Sequence, residues 1–403
     1  MGAMLPERPH PLARAPLVDR TCAGLDHAWE RGWLPPPSID PDELWRRAAK
    51  GYAVETERGG RSEEDVADFR ERLSALCSAV ASEARLNALG KTMAHGQIVR
   101  VIRQRLGLGQ LWLQRPELLD TPLAPPIVVV GPMRSGTTRL HRLLAADPAH
   151  CATRFCDSWS PVPQRIDMRP LWGGMMLAVA RQLDPWIDAL HPMGSMRAEE
   201  ELGWITSALG HSTFETQWRV SSFTSFCEKR DATPIYREFA RILRTDAAHH
   251  GNAMRPRVLK VPQFSEELPA LLAQFPCARL VIANRDGEDV LRSAVSLVAN
   301  QMTIQSDHVD LDWIEAEWRR KLDLSHALVE AALADFTGPV AHVHFDALGA
   351  NWEAEIARIY AELGIDLAPE ARTAMRAEMR ESELSPHRFH AMQLARFKSG
   401  KAA

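Results

Sequence analysis

Residues 127–138 read Ile127-Val128-Val129-Val130-Gly131-Pro132-Met133-Arg134-Ser135-Gly136-Thr137-Thr138. Four consecutive β-branched residues with no polar alternation read as a strand buried on both faces, the pattern of a parallel sheet covered by helices. Gly131 to Thr138 then turns, and Arg139-Leu140-His141-Arg142-Leu143-Leu144 continues as a helix. The frame is G-x-x-x-x-G followed by hydroxyl residues at a helix start. Backbone N–H groups in such a loop point into one concavity, and the positive end of the helix dipole adds to their field, so the loop suits an anion. Glycine is needed where the backbone turns sharply and comes close to its ligand. The lysine that usually follows the second glycine is missing, because Thr137 stands there, and the cation within the loop is Arg134. No strand ending in an aspartate suited to magnesium follows. The loop therefore suits a 5′-phosphate better than a magnesium triphosphate.

Working outward, further strands are expected at 257–261, 279–283 and 340–345, each followed by a helical pattern. Strand and helix in alternation predict a three-layer α/β/α fold around a P-loop-type parallel sheet. Residues 1–40 are rich in Pro and Arg, end in Pro35-Pro36-Pro37 and read as an irregular N-terminal arm. Residues 41–124 read as a helical segment packed on the core. Ser62-Glu63-Glu64-Asp65 has the form of a capping box, and Val66, Phe69, Leu73, Leu76 and Val80 recur at helical spacing. Residues 125–370 form the α/β domain, with a helical insert at 157–255 that would cap the substrate. Residues 371–403 read as a C-terminal helix and tail.

The chain has 403 residues, 25% charged and 45% hydrophobic, which excludes a disordered polymer and a small disulfide scaffold. A net charge of −4 argues against a broad nucleic-acid surface. Of the 48 basic residues 41 are arginine, the side chain suited to planar, forked anion contacts. Six scattered cysteines with no CxxC pair, no apolar run long enough to span a bilayer and no signal-like start set a cytoplasmic, membrane-free expectation.

Pro132-Met133-Arg134-Ser135-Gly136-Thr137-Thr138 resembles the PRSGTT loop of PAPS-dependent sulfotransferases, especially their bacterial branch. Arg285-Asp286-Gly287-Glu288-Asp289-Val290-Leu291-Arg292-Ser293, beginning 151 residues after Arg134, resembles that family's 3′-phosphate motif, with Gly287 in place of its usual proline. Leu259-Lys260-Val261-Pro262 resembles its L-K-x-P strand end, although Phe264 stands where many bacterial members have histidine. The resemblance runs over residues 60–365. It implies that Arg134, Ser135, Gly136, Thr137 and Thr138 hold the 5′-phosphosulfate of PAPS and that Arg285 and Ser293 hold its 3′-phosphate. It also gives Arg134 the task of stabilising charge on the oxygen bridging phosphorus and sulfur.

The implied reaction is metal-free, in-line transfer of a sulfuryl group to a hydroxyl of a small, fairly apolar acceptor, releasing adenosine 3′,5′-bisphosphate. A base must take the acceptor proton. Glu199-Glu200-Glu201 supplies candidates: Glu199 and Glu200 match the family's acidic pair, adjacent carboxylates raise one another's pKa, and His191 is a third candidate. Trp159, Trp172, Met175, Met176, Trp186, Met193, Trp204 and Trp218 either line the acceptor pocket or, for most of them, pack the insert. His249, His250, His342 and His344 lack the spacing of a metal site, and Asp310 reads as a helix cap. Arg396, Lys398 and Lys401 read as a solvated tail. Two rival functions remain at this stage, a P-loop small-molecule kinase and a catalytically silent nucleotide-binding protein. Oligomeric state is not legible.

Overall fold

Five parallel strands make one sheet in the order β2-β3-β1-β4-β5: β1 (Ile127–Val130), β2 (Cys151–Ala152), β3 (Arg257–Lys260), β4 (Arg279–Asn284) and β5 (Val340–His344). The computed structural model describes residues 8–385. Residues 1–7 and the tail with Arg396, Lys398 and Lys401 lie outside the described residues. β1 is central, pairing with β3 through Val129 and Lys260 and with β4 through Val130 and Ile282. The four expected strands are present within a residue or two of their expected ends. β2, a two-residue edge strand, is too short to carry a sequence pattern.

The β1 side chains alternate between two buried cores. Val128 and Val130 join Ile235, Tyr236 and Phe239 of the helix Thr233–His250, together with Phe264. Ile127 and Val129 join Leu140, Leu143 and Leu144 of the helix Thr137–Ala145, with Ile356, Ile359 and Tyr360 beyond. Helices on both faces explain why β1 tolerates no polar residue, and they establish the three-layer α/β/α fold. β5 sits at an edge and exposes His342 and His344 on one face.

The capping box forms as its sequence suggests: Asp65 N–H donates to Ser62 Oγ at 3.1 Å and Ser62 N–H donates to Asp65 Oδ2 at 3.4 Å. Phe69, Leu73, Leu76 and Val80 of the helix Glu63–Ser82 are buried against Ile98 and Ile102 of the helix Ala88–Gln114 and against Phe214, Trp218 and Phe223 of the insert. The N-terminal helices are thus packed against the insert. One expectation is corrected here. Residues 1–40 are not wholly irregular, because Pro16–Glu30 forms a helix with Val18 and Cys22 buried. Pro16 occupies the first turn, where a missing N–H costs nothing, so it starts the helix instead of breaking it.

A buried charge network ties the layers together. Glu238 accepts from Arg61 Nη2 at 2.6 Å and lies 3.6 Å from Arg105 and 3.4 Å from Arg241. Arg241 and Arg237 also reach Asp65, the capping-box residue. Burial alone would push Glu238 up, but Arg61 and Arg105 outweigh it and hold it down at about 2. Glu238→Ala would strand two buried guanidinium groups. It should lower the unfolding free energy by about 3–5 kcal/mol, read from urea denaturation, and a change under about 1 kcal/mol would show the network to be dispensable.

Candidate active site

The strand order decides which residues meet. The loop after β1, Pro262 after β3 and Arg285 after β4 all leave the same edge of the sheet, and neighbouring strands lie about 4.8 Å apart. Motifs more than a hundred residues apart in sequence therefore become neighbours at the carboxyl edge, where open α/β sheets bind ligands.

The loop itself is tightly held. Gly131 N–H donates to Ser265 Oγ at 3.1 Å, and Ser135 donates to Pro132 O through both N–H (3.2 Å) and Oγ (2.8 Å). The Ser135 amide is thus consumed by the turn, which leaves Gly136, Thr137 and Thr138 as the loop's amide donors for an anion. The first backbone bond of the following helix runs from Arg139 to Gly136 O at 3.1 Å. Gly136 sits at φ +92°, and a Cβ there would lie 2.3 Å from Phe345 Cδ2, so only glycine fits. Arg134 adopts φ +74°, a left-handed conformation that costs a side-chain-bearing residue about 1–2 kcal/mol.

Arg285 holds that strained residue in place. Its Nη1 donates to Arg134 O at 3.1 Å, and its guanidinium lies 4.3 Å from the centre of the Phe345 ring. The Arg134 side chain runs toward the next helix, with Nε donating to Ser293 Oγ at 2.8 Å and Nη1 to Leu190 O at 3.0 Å. Burial, joined by repulsion from Arg285, lowers Arg134 to about 10. The glycine loop and the segment Arg285–Ser293 thus form one interlocked unit through Arg134, Arg285 and Ser293.

A residue that the sequence reading left without a role fills the place opposite the loop. Lys260 Nζ, at the end of β3, forms a close ion pair with Glu200 and lies 3.4 Å from Thr138 Oγ1. The signal was present in the L-K-x-P resemblance, but only the β1–β3 register shows that this lysine points at the loop. Phe264, in the position where a histidine was sought, is fully buried among Tyr236 and Phe239 and offers no proton chemistry.

Glu199, Glu200 and Glu201 are buried and turn to different partners. Glu199 accepts from His191 Nε2 at 2.9 Å and lies 3.6 Å from Arg142. Burial opposes its ionisation, but His191 and Arg142 hold the carboxyl well below its ordinary range. Glu201 accepts the Lys260 backbone N–H at 3.0 Å and is pushed up to about 8 by burial. The raised pKa expected from crowding of three acids therefore falls on Glu201, which faces away from the cavity, and its main cause is lost solvation. His191, Glu199 and Glu200 lie close enough to share an ion, yet Arg142 and Lys260 already supply positive charge to the two carboxylates.

A cavity of about 570 Å³ joins these groups. Its wall includes Arg134, Gly136, Thr137, Thr138, Arg285 and Phe345, then His191, Glu199, Glu200 and Lys260. Trp159 and Met193 line it too, whereas Trp186, Trp204 and Trp218 are buried core and Trp172 and Met175 are exposed. Ser135 and Ser293 stand behind the wall. Asp310 caps its helix by accepting from Trp313 N–H. His250 lies 3.4 Å from both Asp157 and Asp246, which are also paired with arginines. Among the described residues no helix is long and apolar enough to cross a membrane.

Residues 125–369 match the sulfotransferase family model. The crystal structure of sulfotransferase STF1 from Mycobacterium tuberculosis H37Rv is similar at 27% identity and a TM-score of 0.76, covering 90% of this chain and 99% of that one. Sulfotransferase STF9 from Mycobacterium avium matches at 20% identity and a TM-score of 0.73, covering 84% and 87%, which supports the fold. No curated protein matches the chain.

Glu201 generates a pH test. Between about 4.5 and about 8 the unfolded chain has released a proton that the folded chain keeps. The stabilisation from this group is therefore complete below 4.5 and falls as pH rises through 8, by up to about 1.4 kcal/mol per pH unit. Glu201→Gln should remove that dependence, so the variant gains on the wild type across this window in urea titrations. Parallel curves would show Glu201 to be ionised in the fold.

Proposed function

This chain belongs to the sulfotransferase family, and we propose that it transfers a sulfuryl group from PAPS to a hydroxyl of a small, largely apolar acceptor. The observation that carries this reading is the position of Lys260, whose ammonium lies between Glu200 and Thr138 where the phosphate loop opens into the cavity. The donor set fits PAPS at both ends. Gly136, Thr137 and Thr138 offer amides and hydroxyls in a loop whose close packing on Phe345 requires glycine at 136, and Arg285, on the adjacent strand end, offers a fork for a second phosphate. Residues 125–370 would carry the activity, with the insert at 157–255 covering the acceptor. The six cysteines are free thiols, which suits the reducing cytoplasm.

PAPS supplies the sulfuryl group and leaves as adenosine 3′,5′-bisphosphate. The acceptor oxygen bonds to sulfur as the bond from sulfur to the phosphate oxygen breaks, and the electron pair of that bond stays on the phosphate. Lys260 faces the charge that develops there, and Arg134, locked onto Ser293, adds to the field from the loop. Glu200, beside Lys260 and open to the cavity, takes the acceptor proton. The His191–Glu199 pair at 2.9 Å is the second candidate base, with Glu199 orienting the ring. Leu190, Leu291, Ala294 and Leu297 provide an apolar wall for the acceptor.

Arg285→Ala should weaken binding of adenosine 3′,5′-bisphosphate on the order of tenfold to a hundredfold in calorimetric titration and change ADP affinity far less. Equal losses would remove Arg285 from the 3′-phosphate and leave it only its hold on the Arg134 carbonyl. Glu200→Gln should cut turnover about a hundredfold or more and leave nucleotide affinity within about twofold. If turnover survives, the proton goes elsewhere, and His191→Asn then becomes the decisive variant.

A further inference from the structure

The helix Arg169–Leu183 carries no charged residue from Pro170 to Ala180. A helix apolar on every side is ordinarily covered on every side, yet this one is buried only along Arg169, Gly173 and Leu177. Leu171, Trp172, Met175 and Val179 follow the helical period on the opposite face and stand open. Ile166, Met168 and Met196 extend the stripe past the helix start, where Arg154 reaches both Met196 Sδ at 3.6 Å and Asp167 at 3.3 Å. These seven side chains are 38–75% exposed, and half of the exposed large apolar side chains among the described residues are concentrated in this one patch. The surface they leave open is on the order of 700 Å², against about 800 Å² per partner in a stable protein interface.

The chemistry of the patch fits protein better than lipid. Trp and Met at the centre with charge kept to the edge is the make-up of an interface core. The edge charges are already paired, Asp167 with Arg169 and Arg154, and Arg181 with Asp188, which leaves little to draw an anionic bilayer. The stripe is also graded, with the large Leu171 and Trp172 before Met175 and the smaller Ala178 and Val179 after it. A fluid bilayer is indifferent to that order. A second copy turned antiparallel about Met175 sets Leu171 and Trp172 over Ala178 and Val179 twice, the self-complementarity that a two-fold interface requires, and the small residues let the helices approach closely. Arg165, exposed and without an ion-pair partner among the described residues, then comes toward the carboxyl end of the facing helix, where a cation is favoured.

We propose that the chain pairs with a second copy of itself through the exposed face of the helix Arg169–Leu183, antiparallel and with Met175 on the two-fold axis. The paired helix stands directly behind a wall of the cavity. Arg181 Nη2 donates to Met193 O at 2.8 Å and Ser195 Oγ donates to Pro170 O at 2.6 Å, and His191 and Met193 line the cavity. The pairing goes beyond the transfer reaction and does not depend on which group is transferred.

Sedimentation velocity of the full chain across the micromolar range tests this. The wild type should sediment at twice the chain mass, with a Kd of about micromolar or tighter. Met175→Glu sets two like charges face to face on the axis and should weaken pairing at least about thirtyfold, and Met175→Lys should do the same. An equimolar mixture of the two variants should recover most of the pairing, because Glu then faces Lys. Met175 is exposed, so both variants should keep the wild-type urea midpoint. If either fails to fold, Val179→Asp, one turn on, should give the same loss. A wild type that stays monomeric, a dimer indifferent to Met175→Glu, or a mixture of variants that does not recover overturns the inference. A monomer that co-sediments with phosphatidylglycerol vesicles overturns it too, and gives the face to a bilayer.

Discussion

The parallel pairing of β1 with β3 on one side and β4 on the other is the constraint from which the rest of the site follows. Val129 stands opposite Lys260 and Val130 opposite Ile282. A slip of one residue would turn every strand side chain to the other face and break both cores together. The register is thus fixed by burial of Val, Ile and Leu, residues with no chemistry of their own. What it delivers is chemical: a lysine, a glycine loop and an arginine at adjacent strand ends.

Strain at Arg134 and the bonds around it belong to the same construction. A left-handed arginine persists only where its surroundings over-determine it. Here Arg285 holds its carbonyl, Ser293 and Leu190 hold its guanidinium, and the Ser135–Pro132 bonds close the turn. All but the Ser135–Pro132 bonds cross from the loop to the end of β4, to the helix after it or to the insert. The loop is therefore shaped by the elements that surround the cavity as much as by its own glycines, and its geometry should follow any movement of the insert at Leu190.

Much of this was legible in the sequence because it rests on local rules. The run 127–130, the glycine loop, the Ser62–Asp65 cap and the Asp310 cap each declare themselves within a few residues, and the resemblance supplied Arg285 and Ser293. What escaped depends on long-range placement. The L-K-x-P segment was seen, but Lys260 faces Thr138 and Glu200 only through strand pairing. The helix that starts at Pro16 was missed when residues 1–40 were read as an irregular arm, because proline at a helix start and proline in a coil look alike without the buried Val18 and Cys22. The buried charge cluster of His211, Glu215, Glu266 and Lys321 comes from three separate segments, and no spacing rule connects them.

The three consecutive glutamates show why sequence proximity misleads about electrostatics. Adjacent carboxylates suggest mutual repulsion, yet burial makes each one search for its own compensation, and the irregular backbone between Ala198 and the helix Leu202–Thr206 lets them turn to different partners. Glu199 finds His191 and Arg142, Glu200 finds Lys260, and Glu201 finds a backbone amide and remains protonated to about pH 8. Charges in a low-dielectric wall must be paired in advance, so the cavity meets its ligands with its charges already matched.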